Sequence, residues 1–230
     1  MGPMLATNIR EREVISLNIS DLDQYIQGAF NQCQIEIDNN PNQIFSEADF
    51  ERLLARLLEE KLSGSEWSVH TQLANYYDED TGDDENVNEG TGNDQHTKRK
   101  YVRPDIALLK HGGFHYKRDE RKYVYDEPSI VFELKYRHGL KENDTDIEKD
   151  FKKALNLKNG SILYVVVLAD TKDEKDFKDK KGFLEEIKKS VAELNGLTED
   201  QKTKCQDTKC FLIEKRIPKS EEKEEVKETT

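Results

Sequence analysis

Cysteine is scarce in this chain: three in 230 residues, at Cys33, Cys205 and Cys210. An odd number cannot close a disulfide framework, and the five-residue spacing of the last two is not the Cys-x-x-Cys of a zinc knuckle. The chain therefore reads as a reduced intracellular, cytoplasmic protein. Long apolar runs are also missing. No stretch approaches the about 18 apolar residues of a membrane-spanning helix, so no membrane role is expected. Met1-Gly2-Pro3-Met4 lacks the basic-then-apolar order of a secretory leader. There is no Gly-rich phosphate loop and no internal repeat, which excludes P-loop nucleotide binding and solenoid architectures.

Charge, by contrast, is abundant. Charged residues make up 37% of the chain and leave it at −12, at first sight the wrong sign for a nucleic-acid ligand. The distribution changes that view. Residues 78–94 hold eight acids and no Lys or Arg, and with Gly82, Gly90 and Gly92 they read as a long acidic loop. A calcium-loop reading fails, because Asp78-x-Asp80-x-Gly82-Asp83 lacks the glycine at position six and a ligand at position five. Residues 95–160 hold sixteen Lys and Arg against eleven Asp and Glu, a local excess of +5. Local potential, more than net charge, is what a phosphate meets.

Length and patterning predict one domain with trimmings. These are an N-terminal extension over 1–43, a main domain over 44–217 and a charged tail over 218–230. In the extension, residues 13–19 alternate like a strand. Ser20, with Asp23 three residues on, is the expected cap of a helix through Phe30. Ser46 and Asp49 open the strongest helix, with Phe45 and Phe50 placed as a hydrophobic staple. Phe50, Leu53, Leu54, Leu57, Leu58 and Leu62 form its buried stripe, and Gly64 ends it. Residues 67–73 alternate as a strand, with His70 on the face away from Trp67 as a surface histidine. Lys117, Arg118, Arg121 and Lys122 interleave with Tyr116, Tyr123 and Tyr125, which suits phosphate contact and base stacking, or equally a solvated hairpin tip. Thr145 and Glu148 form a capping box for a helix through Leu155. Residues 162–168 are apolar throughout, as in a strand covered on both faces, which excludes an all-β sandwich with one wet side. A helix over 182–194 and an edge strand at 210–213 complete the order.

Two strand-like runs carry the chemistry. In the first, residues 101–109, Pro104-Asp105 precedes an apolar stretch. The second, residues 129–135, ends in Glu133-Leu134-Lys135. Side chains alternate across a strand, so Glu133 and Lys135 leave one face while Ile130, Phe132 and Leu134 leave the other. Asp105 reaches the same end if the strands are neighbours. Glu-x-Lys triplets arise by chance in so charged a chain. What sets this one apart is that both acids interrupt or end apolar runs, where an unpaired charge is costly. Two close carboxylates gain a common cation, and Mg²⁺ suits their oxygens. A lysine beside it can orient or deprotonate a water and stabilise charge on a phosphate in flight.

Pro104-Asp105 and Glu133-Leu134-Lys135 resemble the two motifs of the PD-(D/E)xK nuclease superfamily, and the element order over residues 44–168 is similar to its core. The resemblance implies an α/β fold of the restriction-endonuclease-like type: a mixed central sheet flanked by helices, in the order helix, strand, strand, strand, helix, strand. It implies that Asp105, Glu133 and the carbonyl of Leu134 hold Mg²⁺, with Mn²⁺ as a substitute, and that Lys135 serves the attacking water. The first helix of such proteins often offers a further acid. Glu47 is the choice here and Glu51 the reserve, although an acid in a helix's first turn also merely complements the macrodipole. The expected partner is DNA, contacted by Lys98, Arg99, Lys100, Arg103, Arg137 and Lys153, with a homodimer expected where both strands are cut. With no helicase or methyltransferase motif present, restriction or anti-phage defence is the expected setting. Repair or junction cleavage and a non-cleaving DNA-binding module stay open.

Overall fold

The computed structural model describes residues 15–71, 75–76, 101–102, 104–112, 114–117, 122–125, 129–140, 144–157 and 160–217. In chain order the elements are α1 (Ile19–Asn39), α2 (Glu47–Leu62), β1 (Trp67–Thr71), β2 (Asn75–Tyr76), β3 (Tyr101–Val102), β4 (Ile106–Lys110), β5 (Phe114–Lys117), β6 (Lys122–Tyr125), β7 (Ile130–Arg137), α3 (Thr145–Lys153), β8 (Ile162–Thr171), α4 (Glu174–Ala192), α5 (Glu199–Asp207) and β9 (Lys209–Arg216). The fold is mixed α/β. Five strands form one sheet in the order β1-β4-β7-β8-β9, antiparallel on the β1 side and parallel from β7 to β9. β2–β3 and β5–β6 are small separate ribbons.

Each face of the sheet has its own apolar layer. Phe132, Leu134, Tyr164 and Val166 pack with the stripes of α1 and α2. Ala107, Val131, Val165 and Val167 pack with Ile147 and Phe151 of α3 and with Leu184 and Ile187 of α4. β8 is buried from Leu163 to Thr171, as its unbroken apolar sequence requires. No helix among the described residues is long and apolar enough to cross a membrane.

Several boundaries depart from the sequence reading. No strand forms over the described part of 13–19: Ile15 makes a single bridge to Ser65, and helix begins at Ile19. The cap of α1 is Asn18 with Asp21, not Ser20 with Asp23. The helix continues past Phe30 because Cys33 and Ile37 prolong its buried stripe. Phe45 is 74% exposed, so it does not staple α2, although Ser46 caps that helix as expected. Asp144, not Thr145, caps α3, accepting from Asp146 and Ile147 N–H, and the helix gives way to a 3₁₀ turn after Lys153. α4 starts eight residues before Gly182, and α5 was not expected. The acidic loop 78–94 and the tail 218–230 lie outside the described residues.

β4 pairs with β7 only from Leu108↔Ile130 to Ile106↔Phe132, while β7 runs on to Arg137 beside β8 alone. The two strands therefore part at Phe132 and leave a fork.

The Asn18 box closes two of the open N–H groups at the start of α1. Asn18→Ala is expected to lower stability by about 1 kcal/mol, read as a fall in the urea midpoint with unchanged slope.

Candidate active site

Asp105 sits in that fork. Its own N–H donates to Phe132 O at 3.1 Å, and its Oδ2 accepts the Leu134 N–H at 2.7 Å. A side chain thus supplies the acceptor that the next β4 residue would have supplied. Pro104, with no N–H to offer the ladder, helps end the pairing there.

Glu133 and Lys135 leave β7 on the α3 side. Glu133 has only 2% of its side chain exposed. Its Oε2 accepts from Lys153 Nζ of α3, and its Oε1 is buried without a hydrogen-bond partner among the described residues. Lys135 Nζ donates to Leu134 O at 3.1 Å, lies 3.2 Å from Asp150 Oδ2 and 3.6 Å from Glu47 Oε1. Glu47 reaches the cluster from the first turn of α2, where its Oε2 also accepts the Tyr136 N–H at 3.4 Å. Glu47, the first choice of the two candidate acids on α2, thus makes direct contacts with β7.

Asp150 escaped the sequence reading as a site residue. Its side chain is 5% exposed and stands between two ammonium groups, 3.2 Å from Lys135 and 3.0 Å from Lys153. Its one sequence signal is an acid between Ile147 and Phe151, inside a helix's apolar stripe.

The candidate phosphate contacts divide. Lys153 lies in the cluster. Arg137 shares the face of Lys135, but its guanidinium is held by Asp144 at 3.1 Å and Asp146 at 3.3 Å, at the start of α3. Lys98, Arg99, Lys100 and Arg103, with the side chains of the Tyr116–Tyr125 hairpin, lie outside the described residues. His70 is half-buried, its Nε2 2.8 Å from Ser68 Oγ. The three cysteines are free thiols.

Burial pushes the Glu133 carboxyl up to about 8, against the pull of Lys153 and with the added repulsion of Asp105 and Asp150. Burial alone would lower the lysines. Asp150, Glu47 and Asp105 outweigh it at Lys135, and Glu133 and Asp150 outweigh it at Lys153, so both stay above the usual ammonium range. Near neutral pH, Glu133 therefore tends to keep its proton while Asp150 still holds Lys153 charged.

Among the described residues no three acidic, histidine or cysteine side chains converge closely enough to enclose a metal ion. The donors nonetheless suit a hard cation in kind. They are the Asp105 carboxylate, the Glu133 carboxylate with its unpartnered Oε1, and the Leu134 carbonyl. No protein-family model, no curated protein and no solved structure matches the chain.

A carboxyl raised on folding binds its proton more tightly in the folded chain. Its stabilising contribution is complete below the ordinary value of 4.5 and is lost as pH rises towards about 8. In metal-free buffer, Glu133→Gln is expected to remove that descent. Its urea midpoint should exceed the parent's increasingly between about pH 5 and about pH 9, by an amount worth a few kcal/mol at the top.

Proposed function

We propose that this chain is a metal-dependent deoxyribonuclease of the PD-(D/E)xK type on a restriction-endonuclease-like fold. The observation that supports the reading is that Asp105, Glu133 and Lys135 all lie at the β4–β7 fork, with Glu47 of α2 against Lys135. Asp105, Glu133 and the Leu134 carbonyl would hold Mg²⁺, or Mn²⁺ in its place. The ion would polarise a phosphate oxygen and lower the pKa of a bound water.

The protein's own groups do the rest. Asp105 is oriented by the Leu134 N–H, so one of its oxygens is already committed and the other is left for a cation. Lys135 is held protonated by the surrounding acids, so it serves as hydrogen-bond donor and positive charge, not as base. It orients the attacking water and offsets the charge that grows on the phosphate oxygens. Glu47 holds Lys135 from α2 and fixes β7 through the Tyr136 N–H. On this reading DNA is the partner, and restriction or anti-phage defence is the setting that the resemblance favours.

One observation favours a second reading, a DNA-binding module that does not cut. Lys153 already supplies a positive charge to Glu133, and a neutralised carboxylate has less need of a cation.

Cleavage of supercoiled plasmid and linear DNA in Mg²⁺, Mn²⁺ or EDTA separates the two. Cutting with either metal and none in EDTA is expected. Asp105→Ala, Glu133→Ala and Lys135→Ala should each slow it at least about 100-fold while circular dichroism shows a folded chain. Parent-rate cutting by Lys135→Ala would overturn the mechanism. DNA binding without cleavage under every condition would favour the module.

A further inference from the structure

We propose that Asp150 is a positioning residue for Lys135: from α3 it fixes the ammonium group at the β4–β7 fork, and Lys153 is the counterion that keeps it there. The inference rests on the nuclease reading for its consequence, though not for its geometry.

A lysine side chain has several rotatable bonds and must be held if its charge is to meet a phosphate at one point. Lys135 has three anchors. Leu134 O, the carbonyl of its neighbour in the chain, accepts from Nζ at 3.1 Å but carries no full charge. Glu47 is more distant, at 3.6 Å, and 41% of its side chain is exposed, so water competes with it. Asp150 is the closer carboxylate and is nearly sealed from solvent, where charge attraction is least screened. Its Oδ2 lies 3.2 Å from the Lys135 ammonium, and the attraction between the two charges is the larger part of its hold on that group.

The placement of Asp150 fits that role better than a role in packing. It follows Ile147 by three residues and precedes Phe151, on the face of α3 that covers the sheet. An apolar residue there would avoid the cost of burying a carboxylate, and replacing buried ion pairs by apolar groups is often neutral or stabilising. Lys153, one turn on at 3.0 Å, offsets part of that cost and links Asp150 to Glu133. Both lysines are thereby arranged around a single acid, and helix α3 becomes the part of the fold that fixes their geometry.

The test is Asp150→Asn, which keeps the shape and removes the charge. With plasmid DNA and Mg²⁺, kcat should fall about 100-fold with KM within about twofold, because a loosened Lys135 weakens the transition state more than the ground state. A readout independent of cleavage is the rate at which each lysine of the metal-free protein is acylated by an N-hydroxysuccinimide ester, followed by mass spectrometry. Lys135 should label several-fold faster in the variant while buried Lys180 of α4 keeps its slow rate; a structural loosening would raise both. Asp150→Glu retains the charge and serves if Asp150→Asn does not fold; its Lys135 should label at the parent rate. Parent kcat in Asp150→Asn, unchanged labelling of Lys135 in that variant, or Asp150→Glu labelling faster at Lys135 alone, would each overturn the proposal. If the parent chain cuts no DNA with any metal, the nuclease reading falls, and the labelling still decides whether Asp150 holds Lys135.

Discussion

A carboxylate in the middle of a sheet, shielded from water by a strand on one side and a helix above, costs several kcal/mol unless something positive stands against it. Glu133 is in that position, and much of the local architecture can be read as its consequence. Lys153 must lie on the last turn of α3, and α3 must cross β7 at a height that brings it to Glu133. Asp150 then has to share the Lys153 charge, and Lys135 is drawn to Asp150. From the Glu133 carboxyl, contacts run through Lys153, Asp150 and Lys135, alternating in sign, to Glu47 of α2. Residues from both sides of the sheet are thereby tied to one strand.

Strand parity explains how one strand serves both a core and a polar cluster. On β7, Phe132 and Leu134 enter the layer beneath α1 and α2, while Val131 enters the layer beneath α3. Glu133 and Lys135 follow Val131 on that second face. A one-residue shift of β7 against β8 would turn both charges towards Phe30 and Tyr164 and take Phe132 out of the cluster that the three rings form at about 5 to 6 Å. The register is thus fixed as firmly by the charges as by the aromatic cluster. The fork adds the third component, since only where β4 leaves β7 can the Asp105 carboxylate take a β7 amide.

The parts of the fold legible in the sequence are those where periodicity and chemistry agree. The α2 stripe, the apolar β8 and the order of elements around Asp105 and Glu133 were of this kind. Asp150 was not, because a chain with 37% charged residues offers many acids near helical stripes, and only the packing of α3 on β7 shows which is buried. Asn18 and Ser20 are both good capping residues; the choice fell to the register in which Leu22 and Ile26 meet the core. The first turns of α4 carry little apolar signal, since the buried residue there is Lys180, whose ammonium donates to Asp170 O and pairs with Asp176 at 2.9 Å. α5 buries only Cys205, too little for a periodic pattern.

The balance of charge at the fork also constrains the order in which ligands can arrive on the nuclease reading. Glu47, Asp105, Glu133 and Asp150 stand against Lys135 and Lys153, so the cluster is negative even with Glu133 protonated. A phosphodiester brought to such a site alone meets net repulsion. On that reading Asp105 and Glu133 would hold divalent charge before a phosphate enters, and the Glu133 carboxylate would be free for it once unprotonated or parted from Lys153. Asp150 makes the second route inexpensive, because Lys153 keeps a buried partner when Glu133 turns away. On that reading the carboxylate proposed to fix Lys135 would also keep Lys153 paired, so the acidic excess of the chain and a phosphate ligand would be compatible at this one place.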